Sequence, residues 1–195
     1  MHISEGILSG GVLIAGWAGT CAGAAVGLKR TDTAKIVRTA LISSAFFLAS
    51  LVHVKIGPGS AHLLLIASMG LILGWSVFPA VLVALLLQAL LFGFGGLLVL
   101  GVNTLVMAGS ALCVYLAFGR SVHGRLGAVI AFLAGMSGVI LAALFAGVCL
   151  TLCDEGFMNA AKVLVIAHVP VALIEGAVTA FLVSWLKRAA PEFLS

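Results

Sequence analysis

The stretch LLLIASMGLILGWSVFPAVLVALLLQALLF runs from Leu63 to Phe92 without one charged side chain. A membrane-crossing helix takes about 20 apolar residues, so the run is too long for one crossing and short for two. GWSVFP at 74–79 divides it. Trp75 suits a membrane–water interface, and Pro79 can open a helix because its missing N–H falls in the first turn. The reading is a short segment at 62–77 followed by a second at 79–99.

Outward from this pair, apolar runs recur along the whole chain. They fall at about 7–28, 36–53, 103–118, 126–150 and 163–186, which makes seven segments in all. Of the 195 residues, 63% are hydrophobic and 8% charged, far from the balance of a water-soluble domain. The fold expected is an all-α polytopic transmembrane bundle forming a single domain over 1–195. The start lacks the basic region of a signal peptide, since Ser4, Glu5 and Gly6 precede the first apolar run.

Charge sets the orientation. Lys29, Arg30, Lys35, Arg38, Arg120, Arg125, Lys187 and Arg188 fall on one side of a seven-pass chain, whereas Lys55 and Lys162 fall on the other. Positive residues stay in the cytoplasm, which puts the N-terminus outside and the C-terminus inside. The net charge of +4 therefore speaks to topology and not to nucleic acid. Outside lie His53, His62 and the CDEGFMN loop, with His168 and Glu175 at or just below the outer end of the last helix. His123 lies inside, between two arginines. Cys21, Cys113, Cys149 and Cys153 read as small packing residues.

The chain opens MHISEG. A free terminal amine, the amide nitrogen of His2 and the His2 ring form a three-nitrogen claw with five- and six-membered chelate rings. Planar nitrogen sites suit Ni(II) and Cu(II), and Co(II) also accepts imidazole. Protons compete for the donors, so affinity should fall at low pH. The claw needs a fourth donor, and His62 is the best candidate. It follows the turn-forming Gly57, Pro58, Gly59 and Ser60 on the same side. His53 is poorer, because it is expected to end a helix before the turn.

MHISEG, GPGSAHL at 57–63, LLLQALLFGFGG at 85–96 with LGVNT at 100–104, and HVPVALIEG at 168–176 together resemble the CbiM/NikM family. Its members are substrate-capturing membrane components of energy-coupling-factor transporters for cobalt and nickel. The resemblance spans nearly the whole chain in matching order. It implies Ni(II) or Co(II) as transported substrate, with no organic cofactor. The metal would lie near the outer surface among the Met1 amine, the His2 amide, the His2 ring and the ring of His62. It also implies a held N-terminal segment. Lys55 stands where relatives commonly have proline. The lack of a long C-terminal extension suggests that any auxiliary extracellular subunit is a separate polypeptide, and the resemblance also implies a small auxiliary membrane subunit as a partner.

Polar residues within apolar runs are functional candidates. Gln88, Asn103 and Glu175 are assigned a supporting or loop-fixing role behind the metal, with interhelical hydrogen bonding as the plainer alternative. Glu5 is expected to tie down the N-terminal segment, and Ser60 to support the histidine loop. Met107 reads as core packing. The glycines of FGFGG at 92–96 suggest close packing or an irregular outer turn.

No Walker A pattern occurs, so energy must come from partners. Gly11, Ala15, Gly19, Gly23 and Gly27 recur every four residues and make a smooth helix face. That face serves either this chain's own packing or a transmembrane coupling subunit, which in turn binds two ATP-binding-cassette ATPase subunits. The remaining classes are a vitamin-capturing subunit, a passive channel and an intramembrane enzyme. Ser60 beside His62 lacks an orienting acid, so no enzyme is expected.

Overall fold

A computed structural model describes residues 3–51, 53–56 and 59–194, and gives side-chain detail for these except Ala34 and residues 53–62. Helices dominate. In chain order they are α1 (Gly10–Arg30), α2 (Thr33–Leu51), α3 (Ile66–Leu73), α4 (Val77–Phe92), α5 (Leu100–Phe118), α6 (Gly127–Thr151), α7 (Met158–Ala167) and α8 (Val169–Ala189). Among the described residues five helical stretches are long and apolar enough to cross a membrane: Gly10–Arg30, Ile66–Phe92, Leu100–Phe118, Gly127–Thr151 and Glu155–Ala189. Large apolar side chains such as Ile14, Leu28, Leu116, Phe181 and Trp185 point away from the protein interior. That is the surface expected of a bundle whose solvent is hydrocarbon, and the chain is a multi-pass membrane protein.

One element departs from an all-helical reading. Between α2 and α3 the chain forms an antiparallel hairpin, β1 (His53–Ile56) with β2 (Gly59–His62). His53 pairs with His62 and Ile56 with Gly59. His53 therefore begins a strand and does not end a helix. The β-branched Val54 and Ile56 precede the sequence Gly57-Pro58-Gly59, and that pattern favours a hairpin over a longer helix.

Contacts give the direction of each helix. Gly16 and Gly19 of α1 meet Val102 and Leu105 of α5, so these two helices run the same way. Gly70 meets Ala111, and Gly74 meets Tyr115, so α3 also runs with α5. In contrast, Gly23 meets Phe78, whereas Gly27, further along α1, meets the carbonyl of Trp75, which precedes Phe78, so the chain enters α4 where α1 ends and α4 opposes α1. The stretch Ile66–Phe92 is thus folded back on itself at Gly74–Ser76. Gly74 has φ 53° and ψ −125°, a conformation that a β-carbon would strain. Thr31 and Ser76 share a hydrogen bond of 2.7 Å, and the Arg30 guanidinium lies 5.0 Å from the Trp75 ring centroid. This turn therefore sits at the end of the bundle where α1 finishes.

The remaining helices follow the same logic. Ser43 Oγ donates to Ala80 O at 2.8 Å, and Gln88 Nε2 donates to Ser50 Oγ at 2.7 Å, so α2 and α4 run together. Gly127 meets Lys187 and Gly135 meets Glu175, which makes α6 and α8 antiparallel. Ser68 and Thr179 are 3.2 Å apart, which sets α8 alongside α3. One face of the bundle then carries the N-terminal segment, the hairpin and the 93–99 loop. The opposite, basic face carries Arg30, Lys35, Arg38, Arg120 and Lys187.

Glycine lets the helices approach closely. A β-carbon on Gly16 would stand 2.8 Å from Val102 Cα, and one on Gly135 would stand 2.6 Å from the Glu175 carbonyl oxygen. Such contacts are a main source of packing energy between helices in lipid. Pro170, in the first turn of α8, lacks the N–H that a continuous helix would need. The 163–186 run accordingly breaks at His168 into α7 and α8.

Candidate metal centre

The N-terminal segment is gripped by the bundle. Ile3 is buried, and its N–H donates to Asn103 Oδ1 at 3.0 Å. Asn103 Nδ2 donates back to Ile3 O, also at 3.0 Å. A buried carboxamide thus pairs with both polar groups of one peptide residue, as a neighbouring strand would. Asn103 can do so because it lies in the first turn of α5, where its own N–H bonds Val99 O at 2.9 Å.

Further fixings follow along the segment. Glu5 Oε1 accepts from Leu98 N–H at 2.9 Å. Its carboxylate lies so close to Gly96 that a β-carbon there would collide with it, and Gly96 has φ +124°. The glycines after α4 therefore make an irregular turn shaped around Glu5. Trp17 Nε1 donates to Leu98 O at 3.1 Å and holds the far side of the same loop. Leu8 is buried, and Ser9 N–H donates to Cys153 Sγ at 3.2 Å.

The hairpin is fixed at both of its roots. At the entrance, Gln88, 0% exposed, donates to Ser50 Oγ, which in turn donates to Phe47 O at 2.7 Å. At the exit, Glu175 Oε1 accepts from Leu64 N–H and from Leu65 N–H, the latter at 2.9 Å. Leu65 has φ +47°, unusual for a leucine, and this bend aims both amides at the carboxylate. Glu175 is 0% exposed, and its Oε2 has no hydrogen-bond partner among the described residues.

The structure therefore brings Glu5 and Asn103 to the N-terminal segment, and Gln88 and Glu175 to the roots of the hairpin. Met1, His2, and the side chains of Ser60 and His62 lie outside the described residues. Among the described residues no group of three or more His, Cys, Asp or Glu could hold a metal. His168 Nδ1 lies 2.7 Å from Leu164 O, within the helix break, and His123 is exposed on the basic face. Met107 is in the core, and all four cysteines are free thiols. Within the small-residue face of α1, Gly19, Gly23 and Gly27 pack against α4 and α5, whereas Gly11 and Ala15 are exposed. The face that α1 buries is Gly16, Thr20, Gly23 and Gly27. Sequence reading passed over Gly16 and Thr20, although their spacing of four carried the signal. It also missed Ser50, Trp17 and Leu65, whose roles depend on long-range partners.

In this multi-pass helical membrane protein the N-terminal segment and the roots of the β-hairpin are each anchored at one face by buried polar side chains. Residues 2–193 match the family model CbiM, described as the cobalt uptake substrate-specific transmembrane region. The chain belongs to this family of membrane components of cobalt uptake. It is 39% identical over 201 residues, covering all of this chain and 97% of the other, to a Haemophilus influenzae protein named "Putative metal transport protein". It is 31% identical over 222 residues to the fused nickel transport protein NikMN of Rhodobacter capsulatus, covering all of this chain and 64% of that one. The crystal structure of a truncated transition metal transporter superposes with a TM-score of 0.80 at 28% identity, over 96% of this chain and 98% of that one.

Proposed function

We propose that the chain captures Ni(II) or Co(II) for an ATP-driven importer of the energy-coupling-factor type. The donors are the Met1 amine, the His2 amide nitrogen, the His2 ring and the His62 ring. The observation that carries this reading is the double hydrogen bond between Asn103 and Ile3. A terminus that merely trailed into water would have no use for a buried side chain matched to both of its peptide groups. Ile3 is fixed, and it is joined to Met1 and His2 by two peptide bonds. Ser50 and Leu65, on either side of the hairpin, are fixed as well. His62 then has a short, tethered path to the same place, and pre-ordering of this kind lowers the entropic cost of chelation.

The contact directions support seven passes, with α3 and the hairpin sharing the third. The clustering of Lys and Arg at one face supports an N-terminus outside and a C-terminus inside. Gly11 and Ala15 offer α1 to a transmembrane coupling subunit, which two ATP-binding-cassette ATPases would drive, with a small auxiliary membrane subunit beside them. Nickel stands next to cobalt because four nitrogens in a plane suit it, and because a relative named as a fused nickel transport protein matches along the whole of this chain.

The test is elemental analysis of protein purified without an N-terminal tag after loading with Co(II) or Ni(II). Adding one residue before Met1, or changing His2 to Ala, should each abolish bound metal. Full retention in both variants would end the four-nitrogen model.

A further inference from the structure

At the basic face, between the end of α1, the start of α2 and the end of α5, lies an open cleft of about 900 Å³. That volume falls in the range of about 300–1,000 Å³ typical of small-ligand sites. Arg30, Lys35, Arg38 and Arg120 stand around it, Trp75 and Tyr115 form its aromatic wall, and the apolar end of α3 makes its floor. The cations have few acidic partners. Among the described residues one ion pair is present, Lys35 with Asp32 at 3.3 Å. Arg30 lies over the Trp75 ring, and Arg38 donates to the Glu192 carbonyl at 2.8 Å, a neutral oxygen. Four like charges around one concavity repel each other until an anion enters.

The floor and rim narrow down which anion. A free phosphate would satisfy the guanidinium groups but leave the apolar floor wet. Leu116, in the cleft's rim, is 66% exposed on the outer surface of the bundle. A phosphate for the arginines, a glycerol unit beside Tyr115, and acyl chains running out past Leu116 describe a phospholipid. We propose that this cleft holds the headgroup of one anionic phospholipid from the leaflet at the basic face. Basic recesses between membrane helices commonly bind such headgroups, and arginine is suited to phosphate because its fork donates two hydrogen bonds at once. The site depends on the basic face meeting a membrane leaflet and not on metal capture.

The experiment uses the full chain in nanodiscs of phosphatidylcholine with and without phosphatidylglycerol, with tightly held lipid counted by native mass spectrometry after transfer to detergent. Wild type should keep one phosphatidylglycerol and no phosphatidylcholine. Each lost charge should weaken retention about fivefold, so Arg30→Gln with Arg120→Gln should lose about thirtyfold. Arg30→Lys with Arg120→Lys should keep most of it. Arg125→Gln with Arg188→Gln removes the same charge from this face outside the cleft and should change nothing. Equal loss in that control would overturn the proposal in favour of diffuse attraction. Displacement of the lipid by inorganic phosphate would overturn it in favour of a soluble anion. Unchanged retention, together with lost assembly with coupling subunits, would make the cleft a protein-docking surface instead. Bound Co(II), read in the same samples, should stay constant, which separates this result from any failure of the capture model.

Discussion

Replacing Asn103 with alanine tests the central contact. The change removes the acceptor for Ile3 N–H and the donor to Ile3 O, both at 3.0 Å. Both groups then lie buried without a partner. An orphaned buried group costs about 1–3 kcal/mol. The space left by the smaller side chain is at the mouth of the bundle, where water can enter and recover part of this. The lower figure then applies to each group, for a total of about 2 kcal/mol, or roughly thirtyfold in the equilibrium between docked and released segment. Hydrogen exchange of the N-terminal peptide in nanodiscs reads that equilibrium directly, and protection at Ile3 should fall by the same factor. Co(II) titration reads its consequence. Apparent affinity scales with the docked fraction, so it should weaken by at most that factor, and by less if docking has stability to spare. Asn103→Asp keeps the acceptor but sets a carboxylate against Ile3 O, and should also loosen the segment. Unchanged protection in Asn103→Ala would refute the claim that this side chain holds the terminus. A loss of affinity without a loss of protection would show that Asn103 acts on the metal by another route.

Glu175→Gln retains an oxygen for Leu64 and Leu65 N–H, whereas Glu175→Ala leaves both amides unpaired at about 1–3 kcal/mol each. Thermal unfolding in detergent should therefore fall much further for alanine, and equal loss would show that charge matters more than acceptance. Gly16→Ala forces a β-carbon to within 2.8 Å of Val102 Cα and should cost about 1–3 kcal/mol by the same assay. Gly11→Ala, with nothing within 4 Å, should stay within about 0.5 kcal/mol of wild type, and matching losses would refute the packing argument. Metal binding should weaken on acidification, because protons compete for an amine with an ordinary pKa of about 7.7–8.0 and for imidazoles of about 6.5. Co(II) affinity measured from pH 8 down to pH 6 should fall steadily, and a flat profile would exclude these donors. Ala15→Trp should reduce co-purification of the coupling subunit while leaving Co(II) capture intact. Normal assembly would place the docking face elsewhere.

Much of the fold is legible in the sequence because hydrocarbon imposes simple demands. Apolar length marked most helices to within a few residues, although the segment read as 79–99 ends as a helix at Phe92 because the glycines that follow break it, and GWSVFP at 74–79 marked the reversal between α3 and α4. Gln88, Asn103 and Glu175 stood out because a polar side chain in an apolar run must find a partner. What those partners would be was not legible. Ile3, Ser50 and Leu65 are ordinary residues until the fold brings them within reach, and no local pattern records a contact one hundred positions away. The hairpin was read as a loop because a four-residue strand has too short a period to be distinguished from the end of a helix. The line of α1 that packs inside the bundle, Gly16, Thr20, Gly23 and Gly27, was not separable from the Gly11–Gly27 line, because glycine, alanine and threonine all count as small and a helix of such residues presents more than one candidate line.

The shortness of α3 has a consequence for how an ion would travel. Eight residues rise about 12 Å, under half of a hydrocarbon layer of about 30 Å. The rest of that pass is made by extended backbone, whose open edges cannot face lipid tails and must be screened by neighbouring helices or by water. Such backbone is cheapest to place where water reaches it, so the N-terminal face is where a hydrated cation would first meet the bundle.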